Sequence, residues 1–287
     1  MIMKFNEEKG IYRLLSVLAF SAIAALVLIV IFIIIEGLPF IFKIGLTDFL
    51  FSSDWQPLAG KFGIFPMIVG SLWVTVGAVL VGMPLGLSGA IFLSEFVPRW
   101  AMKIIKPAIE LLAGIPSVVY GFIGVMVLAP LIRNNLGGPG LSILAASIIL
   151  GIMILPTIMS ISIDAIKAVP NSYREGAFAL GATHWQTIHM VTIPAAKSGI
   201  IAGIILGLGR AIGETMAVIM VVGNAVKLPS SPLDSARTLT ANIALEMGYA
   251  TGMHRQALFA TGVVLLIIIM ILNSAALLAI KRMGNKK

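Results

Sequence analysis

The sequence predicts an all-α fold, a polytopic membrane bundle of six transmembrane helices. Composition, segment length and charge placement all point there. Of the 287 residues, 59% are hydrophobic and 11% carry a charge. Soluble domains have roughly 25% charged residues, so this chain cannot cover itself with polar surface and needs lipid as solvent. Backbone groups in lipid must pair internally, which leaves helices for long apolar segments, and a hydrocarbon core of about 30 Å needs about 20 residues per crossing.

Six segments meet that length. The first, about 13–35, is too long for a cleaved leader, and Glu36-Gly37-Leu38-Pro39 is a poor cleavage site, so it reads as a retained helix. The second, about 64–94, is long enough to tilt or to break at Gly82-Met83-Pro84. The third, about 108–132, begins near Pro107 and ends at Pro130 and Arg133. The fourth covers about 140–162, the fifth about 197–222 and the sixth about 257–280.

The net charge of +8 does not indicate nucleic acid, because the basic residues form no runs and are not interleaved with aromatics. They sit between apolar segments. One side holds Lys4, Lys9, Arg13, Arg99, Lys103, Lys106, Lys167, Arg174, Lys197, Lys281, Arg282, Lys286 and Lys287. The other holds Lys43, Lys61, Arg133, Lys227, Arg237 and Arg255, and Arg210 lies inside a span. The positive-inside rule then puts both termini in the cytoplasm. Two long external connections, about 36–63 and 223–256, carry Trp55, Pro57, Pro229 and Pro232 and are candidates for docking an external partner. There are no cysteines, so disulfides and thiolate chemistry are excluded.

The cytoplasmic connection 163–196 has a grammar of helix, glycine turn, helix. Asn171 or Ser172 is placed to cap a helix from about Tyr173, with Glu175 in its first turn. Gly181 ends that helix in the left-handed conformation. Thr183 caps a second short helix that Pro194 closes. Glu175-x-Ala177, then Gly181, then Val191-x-Ile193-Pro194 resembles the EAA loop of ABC importer permeases, with Gly176 and Val191 as mild departures. The resemblance implies one transmembrane permease domain over 1–287 with the type I ABC importer permease fold. It also implies that Glu175, Ala177, Gly181 and Pro194 form the element that seats on a separate ATP-hydrolysing subunit.

In the fifth span, positions 203, 207, 210, 214 and 217 form one helical stripe. Gly203 and Gly207 on it allow close helix approach, and Arg210 and Glu214 share it. An arginine at mid-membrane faces a bundle interior or a cavity, and Glu214 lies within reach to pair with it. The residues alone leave two readings open, an ion pair clamping two helices or a guanidinium that binds a tetrahedral oxyanion with parallel hydrogen bonds.

Arg210-Ala-Ile-Gly-Glu214-Thr215-Met-Ala-Val218 after such a loop, with Leu111-Leu-Ala-Gly-Ile-Pro-Ser-Val-Val-Tyr-Gly-Phe122 upstream, resembles phosphate-importer permeases of the PstC/PstA type, closer to PstC. The resemblance implies Arg210 and Glu214 in the phosphate pathway. It implies as partners a homologous PstA-type permease, a PstB-type ATPase dimer that binds the ATP and Mg, and an external PstS-type phosphate-binding protein, all at the inner membrane.

The chain has no phosphate-cradling Gly-x-x-x-x-Gly-Lys-Ser/Thr, so ATP is not hydrolysed here and no cofactor is expected in this chain. His184, His189 and His254 lack metal spacing and read as loop residues. Thr75, Ser117, Tyr120 and Asn224 read as intrahelical hydroxyls or loop amides. The alternatives are a permease for sulfate, molybdate or tungstate, and a stand-alone carrier using Glu214 as a proton site.

Overall fold

The computed structural model describes residues 2–284, without the side chains of 1–10, 99, 276 and 279–287. Lys286 and Lys287 therefore lie outside the described residues, and the side chains of Lys4, Lys9, Arg99, Lys281 and Arg282 outside the described side chains. Among the described residues six helices are long and apolar enough to cross a membrane: Ile11–Ile44, Phe65–Glu95, Ser117–Leu136, Ile143–Lys167, His184–Gly213 and Gly252–Ala275.

Helix α1 (Ile2–Ile44) is exposed all round over residues 11–29, Leu14, Phe20, Ile23 and Leu28 included, as a helix bathed in lipid is. It packs on the last helix of the chain, most closely at Gly37, where a Cβ would come within 2.7 Å of the Phe259 carbonyl. At that end α2 (Leu46–Phe51) and an antiparallel hairpin, β1 (Trp55–Gln56) and β2 (Lys61–Phe62), form a cap. Phe40, Phe49 and Phe62 pack edge to face beneath it.

Helix α3 (Phe65–Glu95) runs unbroken through Gly82-Met83-Pro84. The sequence allowed a break there. What keeps the helix whole is its seam with α7 (Ile143–Lys167). A Cβ on Gly82 would meet the Gly151 carbonyl at 2.8 Å, and one on Gly151 would meet Val81 at 2.8 Å. A kink would pull these backbones apart. Helix α7 is the axis of the bundle, with Leu150, Met153, Ile154 and Ile158 fully buried, and its N-terminus is capped by Ser142.

The third span differs from the expected 108–132. Its helical course is α4 (Arg99–Ala113), a break at Gly114-Ile115-Pro116, α5 (Ser117–Ile123), a π-turn at Gly124–Leu128, and α6 (Ala129–Leu136). Pro116 supplies no N–H and biases Ile115 away from helix. The apolar crossing is therefore Ser117–Leu136, and α4 belongs with the polar connection before it.

The fourth connection is also shorter than 163–196. Helix α7 continues to Lys167 and is followed by α8 (Asn171–Ala179). The next span starts at His184 as α9 (His184–Thr187), a π-turn at Ile188–Thr192, and α10 (Ile193–Gly213). Pro194 thus closes no helix. Both Pro130 and Pro194 sit two residues past a π-turn. The wider turn absorbs the missing N–H and the clash with the carbonyl one turn back.

Helix α10 ends at Gly213, short of the expected 222, and α11 (Met216–Val221) is a separate piece. A loop, α12 (Leu239–Glu246) and α13 (Gly252–Gly284) complete the chain. Cross-links fix the directions. The N–H of Leu239 donates to Ser71 Oγ near the start of α3, and that of Ile143 to the Asp234 carbonyl. Lys106 pairs with Asp164 near the end of α7, and Arg174 with Glu95 at the end of α3.

Candidate functional site

Three glycines bring α10 against α7. A Cβ on Gly203 would meet Ile161 at 3.2 Å and one on Gly207 would meet Ile158 at 2.8 Å, while Gly199 faces Ala165. The small-residue stripe expected from the sequence is therefore the helix seam. Arg210 lies at its upper end, half-buried. Its Nη1 donates to Thr157 Oγ1 at 3.3 Å and its Nη2 to the Ala113 carbonyl at 3.3 Å. Three separate helices, α10, α7 and α4, thus meet at one guanidinium.

Glu214 is not on that stripe. Its backbone is extended (φ −69°, ψ 134°), so the helix stops before it and the expected run through 214 and 217 is interrupted. The cause is local. Glu214 Oε1 accepts from the Ala217 N–H at 3.3 Å, and the Glu214 carbonyl accepts from Thr240 Oγ1 at 2.9 Å. Both bonds turn the residue away from α10. The expected Arg210–Glu214 pair is absent, and among the described residues no carboxylate lies within salt-bridge distance of Arg210.

At the opposite end of α10 the short-helix connection has the expected shape with a changed start. Helix α8 begins at Asn171 behind Pro170, with no side-chain cap, so neither Asn171 nor Ser172 caps it and Glu175 stands beyond the first turn. Pro170 itself occupies the N-cap position, and its ring has no acceptor with which to cap. Gly181 adopts φ +83° with open space around it. Conformation alone demands glycine there. Thr183 and Gln186 form a reciprocal capping box at α9.

Arg174 anchors this connection through Glu95 at 2.8 Å and the carbonyls of Val169 and Ile166. Ala177 is buried, Glu175 is exposed, and Tyr173, Phe178, Leu180 and Trp185 project outward, Leu180 with 91% of its surface free. The helix pair, held to the bundle through Arg174, thus carries large exposed apolar side chains away from it. Beside it a cleft of about 780 Å³ runs between α3 and α4, lined by Glu95, Lys103, Lys106, Glu110 and Arg174.

Sequence reasoning missed Thr157 and the Ala113 carbonyl. A hydroxyl in an apolar helix ordinarily bonds its own backbone, and only the proline before Thr157 marks the spot. It also missed a hub at the hairpin end. Glu246, 7% exposed, accepts from Trp55 Nε1 at 2.9 Å and Arg237 Nη1 at 2.6 Å and bonds His254 Nε2 at 2.8 Å. His254 is thus a helix residue in a buried network, not a loop residue. Tyr120, read as an intrahelical hydroxyl, instead bridges the break by donating to the Leu112 carbonyl at 2.9 Å.

Six candidate crossings among the described residues, with a half-buried polar contact where three helices meet, make this a polytopic membrane protein. Residues 82–285 match the family model described as the binding-protein-dependent transport system inner membrane component, and the chain belongs to that family.

Among curated relatives, the probable ABC transporter permease protein YqgH of Bacillus subtilis is 46% identical over 271 residues, 92% of this chain and 87% of that protein. The phosphate transport system permease protein PstC of Xylella fastidiosa (strain Temecula1) is 38% identical over 261 residues, 84% of this chain and 81% of that one. PstC of Haemophilus influenzae is 33% identical and covers 99% and 94%.

Solved structures share the fold. The MetNI methionine ABC transporter superposes with a TM-score of 0.57 at 19% identity, over 77% of this chain and 94% of that chain. A bacterial alginate importer gives 0.58 at 17%, over 90% and 94%. The architecture is that of the type I ABC importer permeases.

Proposed function

We propose that this chain is one of two permease subunits of an ATP-driven phosphate importer, with Arg210 as the pathway's oxyanion contact. The observation that carries the reading is a half-buried guanidinium held, among the described residues, by two neutral groups, a hydroxyl and a carbonyl, each at 3.3 Å. A cation in a membrane interior with no counter-charge is matched by an anion that arrives and leaves. The names of the PstC relatives support phosphate as that anion. Glu214, turned away at the α10 break, supplies negative charge close in sequence without neutralising the site.

On this reading α8 and α9, through Glu175, Ala177, Gly181 and the projecting Tyr173, Leu180 and Trp185, seat on a separate ATPase that binds ATP and Mg. That end then faces the cytoplasm with both termini, and the hairpin end faces an external phosphate-binding protein. A homologous permease completes the pathway. The test is reconstitution with these subunits in liposomes. ATP-dependent phosphate uptake is expected, with sulfate and molybdate competing poorly. Uptake of sulfate or molybdate in preference to phosphate would reassign the substrate, and phosphate uptake without ATP would favour a stand-alone carrier.

A further inference from the structure

We infer that Thr157 is a second contact for the transported oxyanion, and that the Ala113 carbonyl holds the anion's place while the site is empty. This rests on reading Arg210 as the anion contact, and it adds a residue on a different helix.

The hydroxyl of threonine has one proton and two lone pairs. At Thr157 a lone pair is occupied, since Oγ1 accepts from Arg210 Nη1. The proton has no acceptor among the described residues. Two other helical threonines direct theirs to the carbonyl one turn back, Thr187 to Thr183 at 3.0 Å and Thr261 to Ala257 at 2.9 Å, while the buried Thr192 hydroxyl has no partner among the described residues. Thr157 makes no such bond. A half-buried hydroxyl with an unused donor, in contact with a guanidinium, is half of an oxyanion cradle. Two donors from separate helices, α7 and α10, converge on one place, and the unprotonated oxygens of a phosphate mono- or dianion accept from both.

The Ala113 carbonyl explains how the empty site is held. At the α4 break the N–H of Gly114 goes to Leu111 and that of Ile115 to Leu112. No backbone donor across the break reaches Ala113, so its carbonyl is an unsatisfied helix end that Arg210 caps. That bond is long. Charge-assisted N–H···O⁻ bonds run at about 2.7–2.9 Å and are roughly twice as strong as neutral ones. An arriving anion oxygen therefore displaces the carbonyl, and Thr157 donates to a second oxygen of the same anion. Departure of the anion returns Arg210 to Ala113, which spares the guanidinium from standing unpaired between cycles.

The test uses the full complex in liposomes, with assembly checked by copurification and inorganic phosphate as the transported probe. Thr157→Val removes the hydroxyl at nearly constant volume. It is expected to lower the rate of ATP-dependent phosphate uptake at subsaturating phosphate by about tenfold or more, the effect of one hydrogen bond to a charged group. The concentration of binding protein giving half-maximal rate should stay put, since that protein docks elsewhere. Thr157→Ser is expected to restore transport, and Thr157→Ala serves as a second hydroxyl-free variant, so that a packing fault peculiar to valine is not read as a lost donor. If Val and Ala variants transport normally while Arg210→Ala does not, Thr157 is structural and this inference falls with the Arg210 reading intact. If Ser is as impaired as Val and Ala, packing is responsible and it falls as well. If Arg210→Ala also transports normally, the reading of Arg210 falls first.

Discussion

On insertion scales a guanidinium costs about 2.5–3.5 kcal/mol at the centre of a membrane helix, an upper bound for Arg210, which lies in the last turn of α10. Its two bonds at 3.3 Å, one of which caps α4, lie beyond the usual N–H···O range, where each contributes about 1 kcal/mol at most. These sums roughly cancel, so stability alone gives Arg210 no advantage over an apolar side chain of similar size. The geometry does select for arginine. Its fork reaches two helices at once, which a lysine ammonium cannot reproduce. Arg210→Lys is therefore expected to assemble normally and to lose at least about tenfold in phosphate uptake; uptake equal to wild type would show that charge without fork geometry suffices. A second residue-scale expectation concerns Asp234 in the 222–238 loop. Its pKa is lowered from 3.8 to about 2, chiefly by the Ser230 N–H, then by the Ser230 hydroxyl and the Ser231 N–H, against a burial effect that raises it. A carboxylate depressed on folding stabilises above its unfolded pKa, and the contribution is lost as pH falls from about 3.8 through about 2. Asp234→Asn should speed amide exchange at Ser230 and Ser231 at neutral pH. Unchanged exchange would mean the loop is held by other contacts.

Among elements, the connection between α7 and α10 was the most legible. Gly181 and Thr183 carry local rules, the left-handed turn and the capping box, which act over three or four residues and need no tertiary context. Gly181→Pro or Glu175→Lys is expected to release or uncouple the ATPase, seen as loss of copurification or of stimulated hydrolysis; normal copurification with normal stimulation would remove the docking role. The parts the sequence did not disclose depend on partners distant in the chain. Pro194 reads as a helix end until a π-turn is known to precede it. Glu214 reads as a helix residue until the Thr240 hydroxyl, 26 residues away, takes its carbonyl. Thr157 acquires meaning only from Arg210, 53 residues on. The glycine seam lies between, since its spacing was visible and its partner helix was not. Gly207→Leu would drive a side chain into Ile158, 2.8 Å from the Cβ position. Overpacking of this kind costs about 1–3 kcal/mol, so a lower melting temperature of the detergent-solubilised protein is expected, and an unchanged one would contradict so close a seam.

Over the whole molecule, α3, α10 and the third crossing pack on α7 while α1 packs on α13, and two polar ends of different character result. One carries α8, α9 and the lysine-bordered cleft; the other carries the hairpin and the Glu246 hub. Composition alone foretold six crossings because lipid imposes length and apolarity on every one of them. It could not foretell that the third crossing begins after a break whose exposed carbonyl meets the fifth. A reporter fused after Lys287 is expected in the cytoplasm, and an external signal would exchange the roles of the two ends. The most direct measurement is phosphate uptake by the reconstituted complex carrying Arg210→Ala. Intact assembly with ATP-dependent uptake abolished is the expected result. Uptake at the wild-type rate would mean that the anion passes without touching this guanidinium, and that Arg210 only caps α4.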